Sequence, residues 1–164
     1  MGKTLVLNKQ QLAQKIDRLA WQIYEQNYKE KDIIIAGIAN RGLLIAKRIV
    51  EKLTEISTIK LKLATIKLDK DNPYNTIEVD INEEEYKDKV VILVDDVLNS
   101  GKTLMYGAKY FLSVPLKKLS TIVLVDRNHN HFPIKADFVG LSLSTTLKEH
   151  ISVELENNEA VYLS

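Results

Sequence analysis

One stretch of the chain decides the fold: Val90-Val91-Ile92-Leu93-Val94-Asp95-Asp96-Val97-Leu98-Asn99-Ser100-Gly101-Lys102-Thr103-Leu104. Its first five residues are aliphatic, which predicts a strand buried on both faces. Two carboxylates follow where we expect that strand to end, and a short turn then leads into a helix. Backbone N–H groups of such a turn and helix N-terminus can surround a phosphate. The pattern therefore favours a ligand that carries both a phosphate and the vicinal hydroxyls of a ribose, which the carboxylates can bind.

This stretch has two other interpretations. Gly101-Lys102-Thr103 is similar to the end of a Walker A loop, but position 96 is Asp and position 97 is Val, so the earlier glycine of that motif is absent. A chance acidic pair at a strand end, followed by Ser100 as a helix cap, would need no ligand at all. The length of the motif and its context favour the ligand site.

The composition is that of a single globular domain, predicted to span residues 1–164. The chain is 45% hydrophobic and 27% charged, and its net charge is +1. It has no cysteine, which excludes disulfides and thiolate chemistry. No apolar run reaches the ~18 residues of a membrane helix, and the polar start argues against a signal peptide. We expect a cytoplasmic protein that does not enter membranes.

Short aliphatic segments alternate with helical patterns along the chain, which predicts an α/β protein with an open, mainly parallel sheet flanked by helices. Asn8 is the predicted cap of the first helix, and a second helix follows the turn at 38–42. A third is predicted at 102–113. Predicted strands lie at 33–36, 59–63, 77–81, 90–94, 121–125 and 136–141, with a terminal pairing of 153–155 and 160–163.

Polar residues follow three of the predicted strands, at the edge of the sheet where ligands bind in such folds. After the first strand, Arg41 can grip a pyrophosphate bidentately and Gly42 allows close backbone approach. The acidic pair follows the second. After the third come a polar loop and a strand that contains Phe138, which either stacks on a base or packs in the core. His129 and His131 have no third metal ligand nearby, which favours a solvated loop.

The strand, the two acids, two further residues and Ser-Gly-x-Thr together resemble the ribose-phosphate signature of type I phosphoribosyltransferases. That resemblance implies their fold, with a small hood above the sheet. It also implies phosphoribosyl pyrophosphate as substrate, Mg²⁺ as cofactor, and a nucleobase or nucleoside monophosphate as second ligand. The resemblance gives catalytic and metal-binding roles to Asp95 and Asp96, and a catalytic role to Arg41. The expected phosphoribosyl pyrophosphate site comprises Ala39, Asn40, Arg41, Gly42, Asp95, Asp96, Val97, Leu98, Asn99, Ser100, Gly101, Lys102 and Thr103. The expected base-binding residues are Asp126, Arg127, Lys135, Phe138 and Val139.

Nearly the whole chain is similar to one branch, the PyrR family of bifunctional uracil phosphoribosyltransferases and pyrimidine-operon attenuators. This implies a homodimer and favours uracil as the base. Two departures matter. Lys70 stands where the flexible catalytic loop of that family carries an arginine, which predicts weak turnover. Lys135 is also similar to the purine-binding segment of hypoxanthine-guanine phosphoribosyltransferases, which leaves the base open.

The alternative function is a nucleotide-sensing regulator with weak or no turnover, which RNA binding could accompany. Basic residues that could contact phosphates are Lys47, Arg48, Lys52, Lys117, Lys118 and Lys148. The net charge of +1 and the lack of interleaved aromatic and basic residues do not favour RNA binding. The enzyme is therefore the favoured interpretation.

Overall fold

The computed structural model describes residues 2–164, and these residues form four helices and nine strands. The helices are α1 (Lys9–Asn27), α2 (Ala39–Ile56), α3 (Glu83–Tyr86) and α4 (Lys102–Phe111). The strands are β1 (Thr4–Leu7), β2 (Asp32–Ile38), β3 (Lys60–Lys67), β4 (Glu78–Val79), β5 (Val90–Leu98), β6 (Lys118–Asp126), β7 (Phe138–Ser142), β8 (Ile151–Glu154) and β9 (Ala160–Leu163).

Six strands form the main sheet in the order β4-β3-β2-β5-β6-β7. All neighbours in it are parallel except β3 and β4. Alternate residues of a strand point to opposite sides of a sheet, so an entirely aliphatic strand makes both faces apolar. Helices cover both faces here. Ile33 and Ile35 pack with α1 and α2, whereas Ile34 and Ala36 pack with α4. This arrangement confirms the predicted open, mainly parallel α/β sheet.

A second sheet of three antiparallel strands, in the order β1-β9-β8, forms the hood. Ile151, Val153 and Val161 belong to the core cluster that also contains α1 and α2, so the hood packs on that side of the main sheet. An ion pair of 2.9 Å between Arg48 and Glu159 adds a polar contact between α2 and the hood. The predicted pairing of the last two strands is confirmed, but the sequence analysis did not identify β1 as a strand.

Several element boundaries differ from the predictions. β5 continues to Leu98 instead of ending before the acidic pair, because β6 runs alongside it as far as Asp126. The predicted turn at 38–42 is the start of α2, which begins at Ala39 directly after β2. α4 ends at Phe111, two residues earlier than predicted, and β6 begins three residues earlier, at Lys118. The cap of α1 is confirmed, since Asn8 and Gln11 bond each other's backbone N–H groups at 2.9 Å.

Within residues 2–164 no helix is both long enough and apolar enough to span a bilayer.

Candidate active site

The acidic pair lies inside β5, at the level where its neighbour β2 ends. The last paired residues of β2 and β5 are Gly37 and Val94, and β2 gives way to α2 at Ala39. The residues after Val94 therefore have no strand beside them on that side. Asp95 and Asp96 are only 2% and 5% exposed, so two carboxylates are buried at the point where the sheet opens. Buried carboxylates are costly unless they are paired, which is typical of functional sites.

Gly42 brings the first turn of α2 against this point of β5. A Cβ at Gly42 would lie 2.6 Å from the carbonyl oxygen of Val94 and 3.2 Å from the Cα of Asp95, so only glycine fits without a backbone shift. The chain enters α2 through Ala39, whose φ of 50° is in the left-handed region that costs a non-glycine residue energy. The close contact between α2 and β5 thus depends on two unusual backbone positions.

Arg41 projects from this first turn toward the acidic pair. Its Nη1 atom is 4.0 Å from Oδ2 of Asp96, and 59% of its side chain is exposed. Asn40 beside it is also exposed. The side chain of Arg41 makes no hydrogen bond within residues 2–164, which leaves its guanidinium donors available to an anionic ligand.

Lys70 reaches the acidic pair from the loop between β3 and β4. Its Nζ donates to Oδ1 of Asp95 at 2.8 Å and to Oδ1 of Asp96 at 3.1 Å. Burial alone would lower the pKa of Lys70, but the two carboxylates outweigh that effect and raise it. The predicted counterpart of the family's loop arginine is therefore in contact with the residues expected to bind ribose.

The two carboxylates respond differently to the same surroundings. Burial, together with repulsion from Asp96, raises the pKa of Asp95 to about 7 in spite of Lys70. Burial also acts to raise the pKa of Asp96, but attraction to Lys70 and hydrogen bonds from its neighbours outweigh it, so the pKa of Asp96 is lowered. Asp96 is the more firmly ionised member of the pair.

The turn after β5 contains the residues that were predicted to bind a phosphate. Gly101 has a φ of +89° and is the N-cap of α4, and the backbone N–H of Lys102 donates to Ser100 Oγ at 3.2 Å. A cavity of about 230 Å³ lies beside this turn. Its lining includes residues 97–104 together with Asp95, Lys70 and Asp71. The free N–H groups of the first turn of α4 and the hydroxyl of Thr103 suit a phosphate group.

A larger cavity of about 830 Å³ lies on the other side of the acidic pair. Its lining combines the start of α2, including Ala39, Asn40 and Arg41, with Lys70, Asp96 and residues 153–158 of the hood. Lys70 lines both cavities, so its contact with the carboxylates separates them. The sequence analysis missed the hood loop, because a polar turn such as Glu156-Asn157-Asn158 carries no local signal of what it covers.

The predicted base-binding residues lie further along the same edge, on β6, β7 and the loops between them. Asp126 accepts a hydrogen bond of 2.8 Å from the backbone N–H of Asn128. Lys135 is exposed, and its carbonyl accepts a bond from the hydroxyl of Thr121. Phe138 and Val139 are half-buried and pack against opposite core clusters. None of these four residues, nor Arg127, lines either of the two cavities beside the acidic pair.

The acidic pair is the place in the structure that suits a divalent cation. Residues 2–164 contain no cluster of three or more His, Asp or Glu side chains with metal-site geometry. Mg²⁺ bound to a pyrophosphate needs few carboxylates, since phosphate oxygens and waters complete its shell. The contacts of Lys70 show that one positive charge is already accommodated between Asp95 and Asp96. The donor set therefore fits the metal implied by the fold.

Comparison with known proteins agrees with the resemblance that was stated from the sequence. Residues 4–158 match the model of the phosphoribosyl transferase domain. The chain belongs to the phosphoribosyltransferase family. It is 34% identical to the Bifunctional protein PyrR of Fusobacterium nucleatum, over 97% of this chain and 96% of that protein. It is 33% identical to the protein of the same name in Staphylococcus saprophyticus, over 95% of this chain and 94% of that protein.

Within the phosphoribosyltransferases, this chain is a member of the PyrR family, and it is a pentosyltransferase. A crystal structure of a hypoxanthine-guanine phosphoribosyltransferase from Bacillus anthracis superposes with a TM-score of 0.79 at 18% identity, covering 99% of this chain and 98% of that one. That likeness supports the fold alone. The resemblance stated from the sequence is thus confirmed at the level of the family.

Proposed function

We propose that this phosphoribosyltransferase transfers the 5-phosphoribosyl group from phosphoribosyl pyrophosphate to a nucleobase, with uracil as the favoured base. The bond between C1 of the ribose and the pyrophosphate oxygen breaks, a bond from C1 to a ring nitrogen forms, and that nitrogen loses its proton. The observation that carries the proposal is the buried acidic pair between two cavities, one at the N-terminus of α4 and one below Arg41.

Each part of the substrate has a matching part of the site. The 5-phosphate lies at the turn formed by Asn99–Thr103, where backbone N–H groups and two hydroxyls can donate to it. Asp95 and Asp96 accept from the ribose hydroxyls. The pyrophosphate extends into the larger cavity toward Arg41 and the backbone of Asn40 and Gly42.

The leaving pyrophosphate carries the charge that catalysis must stabilise. Arg41 is placed to donate to it from the start of α2, and preorganised donors of this kind supply much of the rate enhancement in such reactions. Asp95 and Asp96 would hold a Mg²⁺ ion, which supplies charge neutralisation of the pyrophosphate. Lys70 must leave the carboxylates when ribose and metal bind, so movement of the loop at 68–76 accompanies substrate binding.

Uracil is favoured because the chain matches PyrR proteins over nearly its whole length. Lys135 opposes this assignment, since an exposed lysine donor also suits the ring carbonyl of hypoxanthine or guanine. The agreement of many segments outweighs one residue. The assembly as a homodimer and the cytoplasmic location stay predictions.

A panel of bases tests the proposal. The protein is incubated with phosphoribosyl pyrophosphate, Mg²⁺ and uracil, hypoxanthine, guanine, adenine or xanthine, and pyrophosphate release is measured. We expect pyrophosphate to be released slowly with every base, at the highest rate with uracil, and not at all when a chelator removes Mg²⁺. Faster release with hypoxanthine or guanine would overturn the choice of base, and no release with any base would overturn the enzymatic proposal.

A nucleotide-sensing regulator is the second candidate. The observation that favours it is that a lysine, and not an arginine, reaches both carboxylates from the loop. A nucleoside monophosphate carries no pyrophosphate, so the weaker binding of pyrophosphate by lysine would slow turnover more than nucleotide binding. In that case uridine monophosphate binds in calorimetry while the base panel shows no release. Binding of RNA stays the less favoured part of this alternative.

A further inference from the structure

The phosphate turn is joined by backbone hydrogen bonds to the loop that follows β6. The N–H groups of His131 and Phe132 both donate to the carbonyl of Ser100, at 2.8 and 3.0 Å, and the N–H of Arg127 donates to the carbonyl of Leu98 at 3.1 Å. A Cβ at Gly101 would lie 2.8 Å from Cγ2 of Ile134, so the two segments also touch closely. The turn at 99–101 and the loop at 127–134 therefore behave as one unit.

Arg127 links this unit to a third segment, residues 144–149, which we name the 144–149 loop. Its Nη1 donates to Oδ1 of Asn99 at 2.7 Å, on the phosphate turn. Its Nε donates to Oγ1 of Thr145 at 2.9 Å, and its Nη2 donates to the carbonyls of Thr146 and Glu149 at 3.1 and 2.7 Å. All three nitrogens of the guanidinium are occupied by protein acceptors from two separate loops.

The 144–149 loop has few other contacts that hold it in place. It connects the end of β7 to the start of β8, contains no strand, and includes Leu147, which is 85% exposed. His129 contacts the carbonyl of Thr145, and Glu149 accepts from the N–H of Thr146 within the loop. Arg127 alone supplies three of its hydrogen bonds to the rest of the protein. Removal of those donors leaves the loop with its local contacts and His129.

We propose that Arg127 is a positioning residue that couples occupation of the phosphate turn to the order of the 144–149 loop. The sequence analysis predicted a base-binding role for it, but its donors are used within the protein. A phosphate that fixes the turn also fixes Asn99, and through Arg127 it orders the loop that leads from β7 into the hood. The base then meets a loop that the bound phosphoribosyl ligand has made more ordered than it is in the free protein. The inference rests on the proposed function for its last step, the effect on the base.

Hydrogen exchange tests the coupling without turnover. Exchange of residues 143–150 is measured with and without ribose 5-phosphate in the wild type, Arg127→Lys and Arg127→Gln. Arg18→Lys is the matched control, because Arg18 donates to the carbonyls of Val139 and Gly140 and joins no two loops. We expect ribose 5-phosphate to slow exchange in this segment at least threefold in the wild type and the control. In both Arg127 variants the segment exchanges faster without ligand and no longer responds, since lysine makes one point contact where arginine makes several.

Asn99→Ala separates the two halves of the link. It removes the bond from Arg127 to the phosphate turn but leaves those to Thr145, Thr146 and Glu149. We expect the 144–149 loop to remain protected in the free protein and to lose its response to ribose 5-phosphate. A thermal melt of each variant shows that it is folded, and Asn99→Ala keeps the test open if both Arg127 variants unfold. Unchanged exchange in the Arg127 variants, or a full response in Asn99→Ala, would overturn the proposal.

Steady-state kinetics provide the second measurement. In Arg127→Lys, we expect KM for the base to rise at least tenfold while KM for phosphoribosyl pyrophosphate changes less than threefold. An equal rise in both would indicate a merely structural role and would overturn the coupling. Failure of the proposed function is distinguishable: the base panel would then show no release in the wild type, whereas the exchange response to ribose 5-phosphate would persist.

Discussion

The phosphoribosyl side of the site and its nucleobase side are held together by different kinds of contact. On the first, the start of α2, the acidic pair and the phosphate turn are positioned by the main sheet, and the backbone of α2 comes within van der Waals distance of the backbone of β5 at Gly42. On the second, the 144–149 loop is held by side-chain hydrogen bonds from Arg127 and His129. Backbone contacts allow almost no substitution, whereas side-chain contacts can be exchanged. Under the proposed function, the transfer of the phosphoribosyl group takes place on the first side and the base is selected on the second.

The largest effect expected from this comparison is that of Gly42→Ala. The new Cβ would lie 2.6 Å from the backbone of Val94, so α2 must move away from the acidic pair. We expect a loss of about 1–3 kcal/mol in the free energy of unfolding, as for an overpacked core. Because Arg41 moves with the helix, affinity for phosphoribosyl pyrophosphate should fall as well. Urea unfolding and calorimetry measure the two effects.

Gly107→Ala is the matched control for this change. At Gly107 the nearest atom to a new Cβ is Cδ1 of Ile38 at 3.5 Å, which is ordinary contact, and the site lies within α4. Alanine is favoured over glycine in a helix interior by about 1 kcal/mol, so this variant should be at least as stable as the wild type. Equal stability of the two variants would contradict the view that α2 is fixed by backbone contact.

The two aspartates give the second prediction, through the pH dependence of stability. Burial raises the pKa of Asp95 to about 7, so the native state binds more protons than the unfolded chain between about pH 4 and 7, and stability falls as pH rises through that window. Asparagine cannot ionise, so Asp95→Asn removes this fall in stability. Burial acts against the charge of Asp96 too, but Lys70 and hydrogen bonds lower its pKa, so its contribution is present at neutral pH and is lost as pH falls below its usual range. Asp96→Asn removes that contribution.

At pH 8 we therefore expect Asp95→Asn to be at least as stable as the wild type and Asp96→Asn to melt several degrees lower, at about 2–4 °C per kcal/mol. At pH 4 the difference between the two variants should shrink. Melting curves at both pH values, without ligand, measure this. If Asp95→Asn loses as much as Asp96→Asn at pH 8, the assignment of the raised pKa to Asp95 is wrong.

The contrast between contiguous segments and long-range contacts explains what could be predicted from the sequence. The acidic pair, the phosphate turn and the residues after β2 are contiguous segments, and the structure brings them together as predicted. The end of β5 was misplaced, because its length depends on pairing with β6 at Asp126, which is distant in the chain. The hood loop and the bonds of Arg127 were missed for the same reason. The bonds of Arg127 reach up to 28 residues along the chain. The hood loop lines a cavity with residues 39–44, which are still more distant, so neither relation leaves a local pattern.

Lys70 combines a local signal with a long-range contact. Its departure from the family pattern was visible in the sequence, but its contact with the acidic pair was not. The sequence placed it in a polar loop, and the structure joins its Nζ to both carboxylates. Under the proposed function, the lysine would compete with ribose and metal for the same oxygens until the loop opens. The predicted slow turnover would then have a second cause besides the absence of an arginine.

The smallest expected effect is that of Lys70→Arg on turnover with uracil. An arginine can donate to a pyrophosphate at two points where lysine makes one. One added hydrogen bond is worth about 0.5–1.5 kcal/mol, which corresponds to a roughly two- to tenfold rise in kcat. Lys67→Arg is the control, because Lys67 is exposed at the end of β3 and lines neither cavity beside the acidic pair. A gain in Lys70→Arg alone supports position 70 as the counterpart of the family's loop arginine. If Lys70→Arg is slower than the wild type, the guanidinium binds both carboxylates too tightly for the substrate to displace it. The loop would then act mainly to close the empty site.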